Sequence, residues 1–180
     1  MNRAEFEHII RAAAAATGLS EFVVIGSQAV LAIMADAPRS LRRSVELDLY
    51  PATAPERSIE IDGAIGELSL FHQTHGIYAH GVGPDTACLP MGWETRCTRL
   101  KVAIADGVAT VVAPELHDLA CSKLVAGREK DIAYVAEMLR CGLIRRGRLQ
   151  TLVDQVGVIE HQSRLVSGIE RLMGWLSRQA

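Results

Sequence analysis

The chain lacks the paired cysteines of a disulfide framework or a structural zinc site: Cys88, Cys97, Cys121 and Cys141 are scattered, with no CxxC pair and no histidine at ligand spacing. They read as reduced, mostly buried thiols. It also lacks long apolar runs. The stretch from Ala12 to Ala16 follows Arg3, Glu5, Glu7, His8 and Arg11, and has neither a spanning length nor a secretory cleavage pattern. The expectation is a cytoplasmic protein with no membrane partner. There is little excess charge of either sign, with a formal net charge of −2, so nothing attracts nucleic acid globally and such binding would have to come from a local patch. Arg39, Arg42 and Arg43 form one basic cluster, and Arg145, Arg146 and Arg148 another. No internal repeat or low-complexity linker interrupts the chain.

What is present is an ordinary globular balance, 49% apolar and 22% charged over 180 residues. Phe6, Ile9, Ile10 and Ala13 recur at helical spacing between about Arg3 and Ala16, and Gly18 supplies a stop. Phe22 to Ile25 is a short apolar run ending at Gly26, which reads as a buried strand. A helix is expected from Ser27, as its cap, to about Ala35. Ser44 to Tyr50 alternates, with Val45, Leu47 and Leu49 on one face and Ser44, Glu46, Asp48 and Tyr50 on the other, and Pro51 is expected to end that strand. A short helix is expected over Glu56 to Leu68, then two or more strands between Gly76 and Val112. Beyond Pro114 the pattern is helical, near Glu115–Ala126, Glu129–Leu139, Leu149–Val156 and His161–Arg178. The resulting expectation is an α/β protein, with a mixed sheet over residues 1–113 and a helical part over 114–180 packed on it.

Two features can carry chemistry. A strand running through Gly26 and Ser27 into a helix offers backbone N–H groups to a phosphate. Glu46 and Asp48, two apart on a strand, share a face and can share divalent cations. Each alone also fits an unremarkable turn and a solvated strand face. His72 and His75 in "HQTH" have no metal-motif context and read as packing histidines. Ser27 or Ser122 with His117 and Asp118 makes no convincing triad, since there is no G-x-S-x-G elbow.

Taken together, "IGSQAVLA" followed by "RRSVELDLYP" resembles the G-S…[DE]-h-[DE]-h signature of the DNA polymerase β-like nucleotidyltransferase superfamily. "IDGAIGELSLFH", "GVGPDTACLPMGW" and "CSKLVAGREKD" are similar to stretches of a small prokaryotic family of nucleotidyltransferase-like domains related to AbiEii-type toxins. The resemblance spans roughly Phe22 to Ile144. It implies a nucleotidyltransferase palm using a nucleoside triphosphate and Mg²⁺ or Mn²⁺, with RNA or protein as acceptor and a toxin–antitoxin or defence role. By the same resemblance Gly26 and Ser27 would hold phosphates and Glu46 and Asp48 the metal, while Lys123 and Asp131 would be catalytic and Lys123 would meet the nucleotide's phosphates. Apart from any family, Lys123, Arg128 and Lys130 lie close together across the break at Gly127, a cluster that can bind a nucleotide's phosphate unless Glu129 and Asp131 neutralise it first. Without the resemblance, the stretch from Lys123 to Asp131 reads as a solvated charged helix face. Two departures stand out: Glu rather than Asp at position 46, and, where a third acid is expected, "GIYAHGVG" offering His80. Asp62 and Glu67 are the possible substitutes. A non-catalytic nucleotide- or protein-binding module on the same fold is the alternative, and an aminoglycoside-like acceptor pocket, suggested only by Glu67, a third reading.

Overall fold

The structure, a computed structural model, describes residues 1–178 and divides into two units. The first comprises Met1–Thr86 and Cys97–Ala113, the second Ala87–Arg96 and the chain from Pro114 onward. Helix α1 (Arg3–Thr17) opens on a capping box between Asn2 and Glu5 and closes at Gly18, whose φ of 68° is the left-handed conformation the stop requires. Its periodic residues Phe6, Ile9, Ile10 and Ala13 are wholly buried.

Five strands form one mixed sheet in the order β3-β2-β1-β5-β4. β1 (Glu21–Ile25) is central, antiparallel to β2 (Glu46–Pro51) and parallel to β5 (Gly107–Ala113); β3 (Tyr78–Gly81) runs parallel to β2, and β4 (Thr98–Ile104) antiparallel to β5. Phe22 through Ile25 are all buried, which explains their unbroken apolar run. β2 ends at Pro51 as expected, the proline itself pairing with Phe22 at the strand's last position, where the ladder can do without its missing N–H. The helix expected from Ser27 to Ala35 is shorter, a 3₁₀ turn at Ser27–Ala29 leading into α2 (Val30–Ile33). Ser27 does not cap it, since Gly26 stands at the cap position and no side-chain cap bond is made. α3 (Ser58–Ile65) lies within the helix expected over Glu56 to Leu68, and α4 (Leu70–His75) follows it as a further helix that was not expected. Gly66 ends α3, and Leu68 takes a positive φ of 65° before Ser69 caps α4.

The second unit is helical: α5 (Trp93–Arg96), α6 (Leu116–Ala126), α7 (Glu129–Arg140), α8 (Arg146–Thr151) and α9 (Ile159–Ser177). α9 packs on α6 and α7. A side chain at Gly168 would meet the Leu124 carbonyl at 2.5 Å, so this glycine sets how closely α9 approaches α6. Leu149, Leu152, Val156, Leu165, Ile169 and Leu172 are buried. Of the cysteines, all free, only Cys121 is buried, Cys88 and Cys97 are half-buried and Cys141 is exposed, so the thiols are less enclosed than expected. Among the described residues no helix is long and apolar enough to cross a membrane.

Candidate active site

The pleat of β2 sends Leu47 and Leu49 into the core, fully buried, and leaves Glu46 and Asp48 half-buried on the other face. The ladder then supplies their neighbours. Ile25 of β1 pairs with Asp48, so the residue after it, Gly26, lies beside the Asp48 carboxylate. A Cβ at Gly26 would stand 2.0 Å from Asp48 Oδ2, and the Gly26 backbone has φ 72°. Glycine is therefore required twice here, for the backbone conformation and for the carboxylate that occupies the space. The space that a side chain would fill at this glycine is taken by the Asp48 carboxylate.

On the other side, β3 pairs in parallel register with Tyr78 opposite Glu46 and His80 opposite Asp48. The Tyr78 hydroxyl donates to Glu46 Oε2 at 2.9 Å. His80 Nδ1 lies 3.1 Å from Asp48 Oδ1 and 3.4 Å from Glu46 Oε1. His80 thus occupies the place where a third acid was expected. Asp62 is not among the three donors that lie within 4.8 Å of one another, and its Oδ1 accepts the Gly81 amide at 2.9 Å. Tyr78 was missed by sequence reasoning, although a signal existed: Tyr78 and His80 share the two-residue spacing of Glu46 and Asp48.

The electrostatics follow from two carboxylates on one face. Burial, together with the hydrogen bond and negative charge of Glu46, pushes the Asp48 carboxyl up to about 6. Burial also opposes ionisation of Glu46, but hydrogen bonds from Asp48, Tyr78 and His80 outweigh it and hold Glu46 below its ordinary value. Burial works against the His80 imidazolium, and its hydrogen bond to Asp48 and the surrounding carboxylates reverse this, raising its pKa. Glu46, Asp48 and His80 each offer one donor atom, all within 4.8 Å of one another. Oxygen and imidazole donors so grouped fit a divalent cation.

The remaining predicted residues lie in the second unit, where Arg128 is exposed but Lys123 and Asp131 are not solvated as their charge suggested. Lys123 is 9% exposed and Asp131 1%. Lys123 Nζ is 3.4 Å from Asp131 Oδ1 and 4.5 Å from the centre of the Tyr134 ring, while Arg128 Nε donates to Asp131 Oδ2 at 2.6 Å. Although burial opposes its charge, the Arg128 hydrogen bonds and the Lys123 ammonium hold the Asp131 carboxyl below its ordinary range. The structure brings Gly26, Glu46 and Asp48 together in one unit, and Lys123, Arg128 and Asp131 together in the other.

The family model described as nucleotidyltransferase of unknown function (DUF6036) matches residues 5–166. The chain belongs to this family. The match extends over the paired acids of β2 and the Lys123–Asp131 cluster of this nucleotidyltransferase-like chain alike. Neither a curated protein nor a solved structure matches it.

The other candidates resolve into structural roles. His72 Nδ1 accepts the Leu68 amide at 3.1 Å, and its ring packs on Tyr78 at 4.6 Å. His75 lies edge-on to His8 at 4.5 Å. Asp118, fully buried, is held by two 2.9 Å hydrogen bonds from Arg96, and His117 is engaged by Glu115 at 2.7 Å, so neither serves a hydrolase triad.

Proposed function

We propose that this chain is a metal-dependent nucleotidyltransferase of the DNA polymerase β-like type, moving a nucleotidyl group from a nucleoside triphosphate to an acceptor hydroxyl with release of pyrophosphate. The observation that carries the reading is the Glu46–Asp48 pair, held on one strand face against the Gly26 turn. A like-charge pair at this spacing raises its own free energy unless a cation is its purpose. A divalent ion such as Mg²⁺ or Mn²⁺, when bound, supplies Lewis acidity to the phosphates and to the attacking hydroxyl. Glu46 and Asp48 would hold it. Because α2 extends only over Val30–Ile33, its dipole is small, and Gly26 and Ser27 would bind phosphate through backbone N–H groups instead. Lys123 and Arg128, both in contact with Asp131 within the helical unit, would offer positive charge to a phosphate there.

For the acceptor, RNA is favoured over protein by Arg145, Arg146 and Arg148, which are exposed and make no ion pair among the described residues. Guanidinium groups so disposed suit phosphate. A role in a toxin–antitoxin or defence system follows from the resemblance to AbiEii-type proteins. The second reading, a nucleotide- or protein-binding module without catalysis, is favoured by His80 standing where a third carboxylate is expected. Incubating the protein with each labelled triphosphate, Mg²⁺ or Mn²⁺, and total cellular RNA or protein separates the two. Transfer of label to RNA that Asp48→Asn abolishes is the expected result. Nucleotide binding without transfer supports the module, and absence of both removes the nucleotidyltransferase reading.

A further inference from the structure

We infer that His80 is a direct ligand of the cation site and turns its preference from Mg²⁺ towards a first-row transition metal, of the series from Mn²⁺ to Zn²⁺. This rests on the proposed reading that Glu46 and Asp48 hold a cation. Three observations lead to it. The donor separations are those of a coordination shell: Nδ1 of His80 stands 3.1 Å from Asp48 Oδ1 and 3.4 Å from Glu46 Oε1. Neighbouring donors around an ion at about 2.1 Å are about 3.0–3.4 Å apart, for octahedral and tetrahedral angles respectively.

The other carboxylate oxygens have different tasks. Glu46 Oε2 accepts from Tyr78, and Asp48 Oδ2 lies in the space that a Cβ at Gly26 would fill. The oxygens facing His80 are therefore those available to a shared ion. Finally, β3 fixes the histidine itself. His80 is paired with Asp48 across the ladder, and a Cβ at the next residue, Gly81, would meet the Ser58 carbonyl at 2.0 Å, so the strand is pressed against the first turn of α3.

The chemistry of the donor set then decides the metal. Two carboxylates and a neutral imidazole carry one negative charge fewer than three carboxylates, which weakens attraction for any divalent ion. A hard ion that prefers oxygen and gives up water reluctantly recovers little from a nitrogen donor. Transition-metal ions accept imidazole readily, in the affinity order that starts at Mn²⁺ and rises towards Cu²⁺. Mn²⁺, lowest in that order, is the stringent probe.

The test uses the full chain without nucleotide, so that the only nitrogen near the ion is the protein's. Mn²⁺ binding is titrated by electron paramagnetic resonance, with Mg²⁺ as competitor, and pulsed measurements look for nitrogen coordinated to Mn²⁺. Expected are a directly bound nitrogen and at least about tenfold tighter binding of Mn²⁺ than of Mg²⁺. His80→Asp and His80→Asn should both erase the nitrogen signal and reduce the Mn²⁺ preference by about tenfold or more. Because the His80 side chain is 52% exposed, neither change should disturb folding, and the asparagine variant avoids a third negative charge. Mn²⁺ bound without coupled nitrogen, or with the same preference in the variants, would overturn the inference and leave the carboxylate reading intact. No divalent cation bound at millimolar concentration would overturn both.

Discussion

The Glu46–Asp48 pair in the sheet unit and the Lys123–Arg128–Asp131 cluster in the helical unit both draw carboxylates out of bulk water, but they balance charge differently. In the cluster, each buried charge has a partner of opposite sign within hydrogen-bonding distance, so burial leaves the carboxylate ionised. In the pair, two like charges face each other, and only Tyr78 and the half-exposed His80 ease the strain. Balanced charge of the first kind becomes costly when one partner is removed and the other is left buried alone. Unbalanced charge of the second kind raises the free energy of the unliganded protein and returns it when a cation arrives, so the contrast separates a cluster neutralised within the protein from a pair that a cation would neutralise.

The contrast is testable by removing one acid from each region. Asp131→Asn withdraws the carboxylate that the buried Lys123 ammonium faces, and should cost about 3–5 kcal/mol in denaturant unfolding. Less than about 1 kcal/mol would mean that the cluster is not structural after all. Asp48→Asn should do the reverse, leaving the melting temperature unchanged or higher while lowering nucleotidyl transfer by about 10²–10³-fold. A large stability loss on this substitution would erase the distinction between the regions.

Acid sharpens the comparison further. Because the folded-state pKa of Asp131 lies below its unfolded value, its contribution to stability is present in full above about pH 4. It should fade as pH falls from there through the folded value, where the unfolded chain binds the proton first. Thermal melts from pH 6 downward should show this loss in the wild type and a smaller one in Asp131→Asn. The smallest effect belongs to Tyr78→Phe, which deletes one hydrogen bond to Glu46. It should weaken metal binding by about 0.5–1.5 kcal/mol, roughly three- to tenfold, without changing stability appreciably, as calorimetry with Mn²⁺ would show.

The parts of the site that sequence made legible were those carried by local periodicity. The β1 run, the Gly26–Ser27 turn and the spacing of Glu46 and Asp48 all lie within one strand or one turn, where residue order determines neighbours directly. Tyr78 escaped because its two-residue spacing from His80 says nothing until the register with another strand is known, and that register sets the tyrosine opposite Glu46. Lys123 and Asp131 were read as solvated because they lie on two helices either side of Gly127, and their burial depends on tertiary packing that a charge pattern does not encode. α4 was not foreseen: the expected helix ended at Leu68, and a six-residue helix with no buried residue leaves no apolar periodicity to read.

The antiparallel register that sets Ile25 opposite Asp48 ties the fate of the site to that of the core. A slip of β2 by a single residue would turn Glu46 and Asp48 inward and expose Leu47 and Leu49, both 0% accessible in the native arrangement. No partly misregistered molecule can keep the sheet and mislay the acids, or keep the acids and loosen the sheet. Opening of the site and global unfolding should therefore be one event, and amide hydrogens along this strand should exchange only at the rate of the whole domain. Those amides would serve as an internal clock for the fraction of molecules that are competent at any moment.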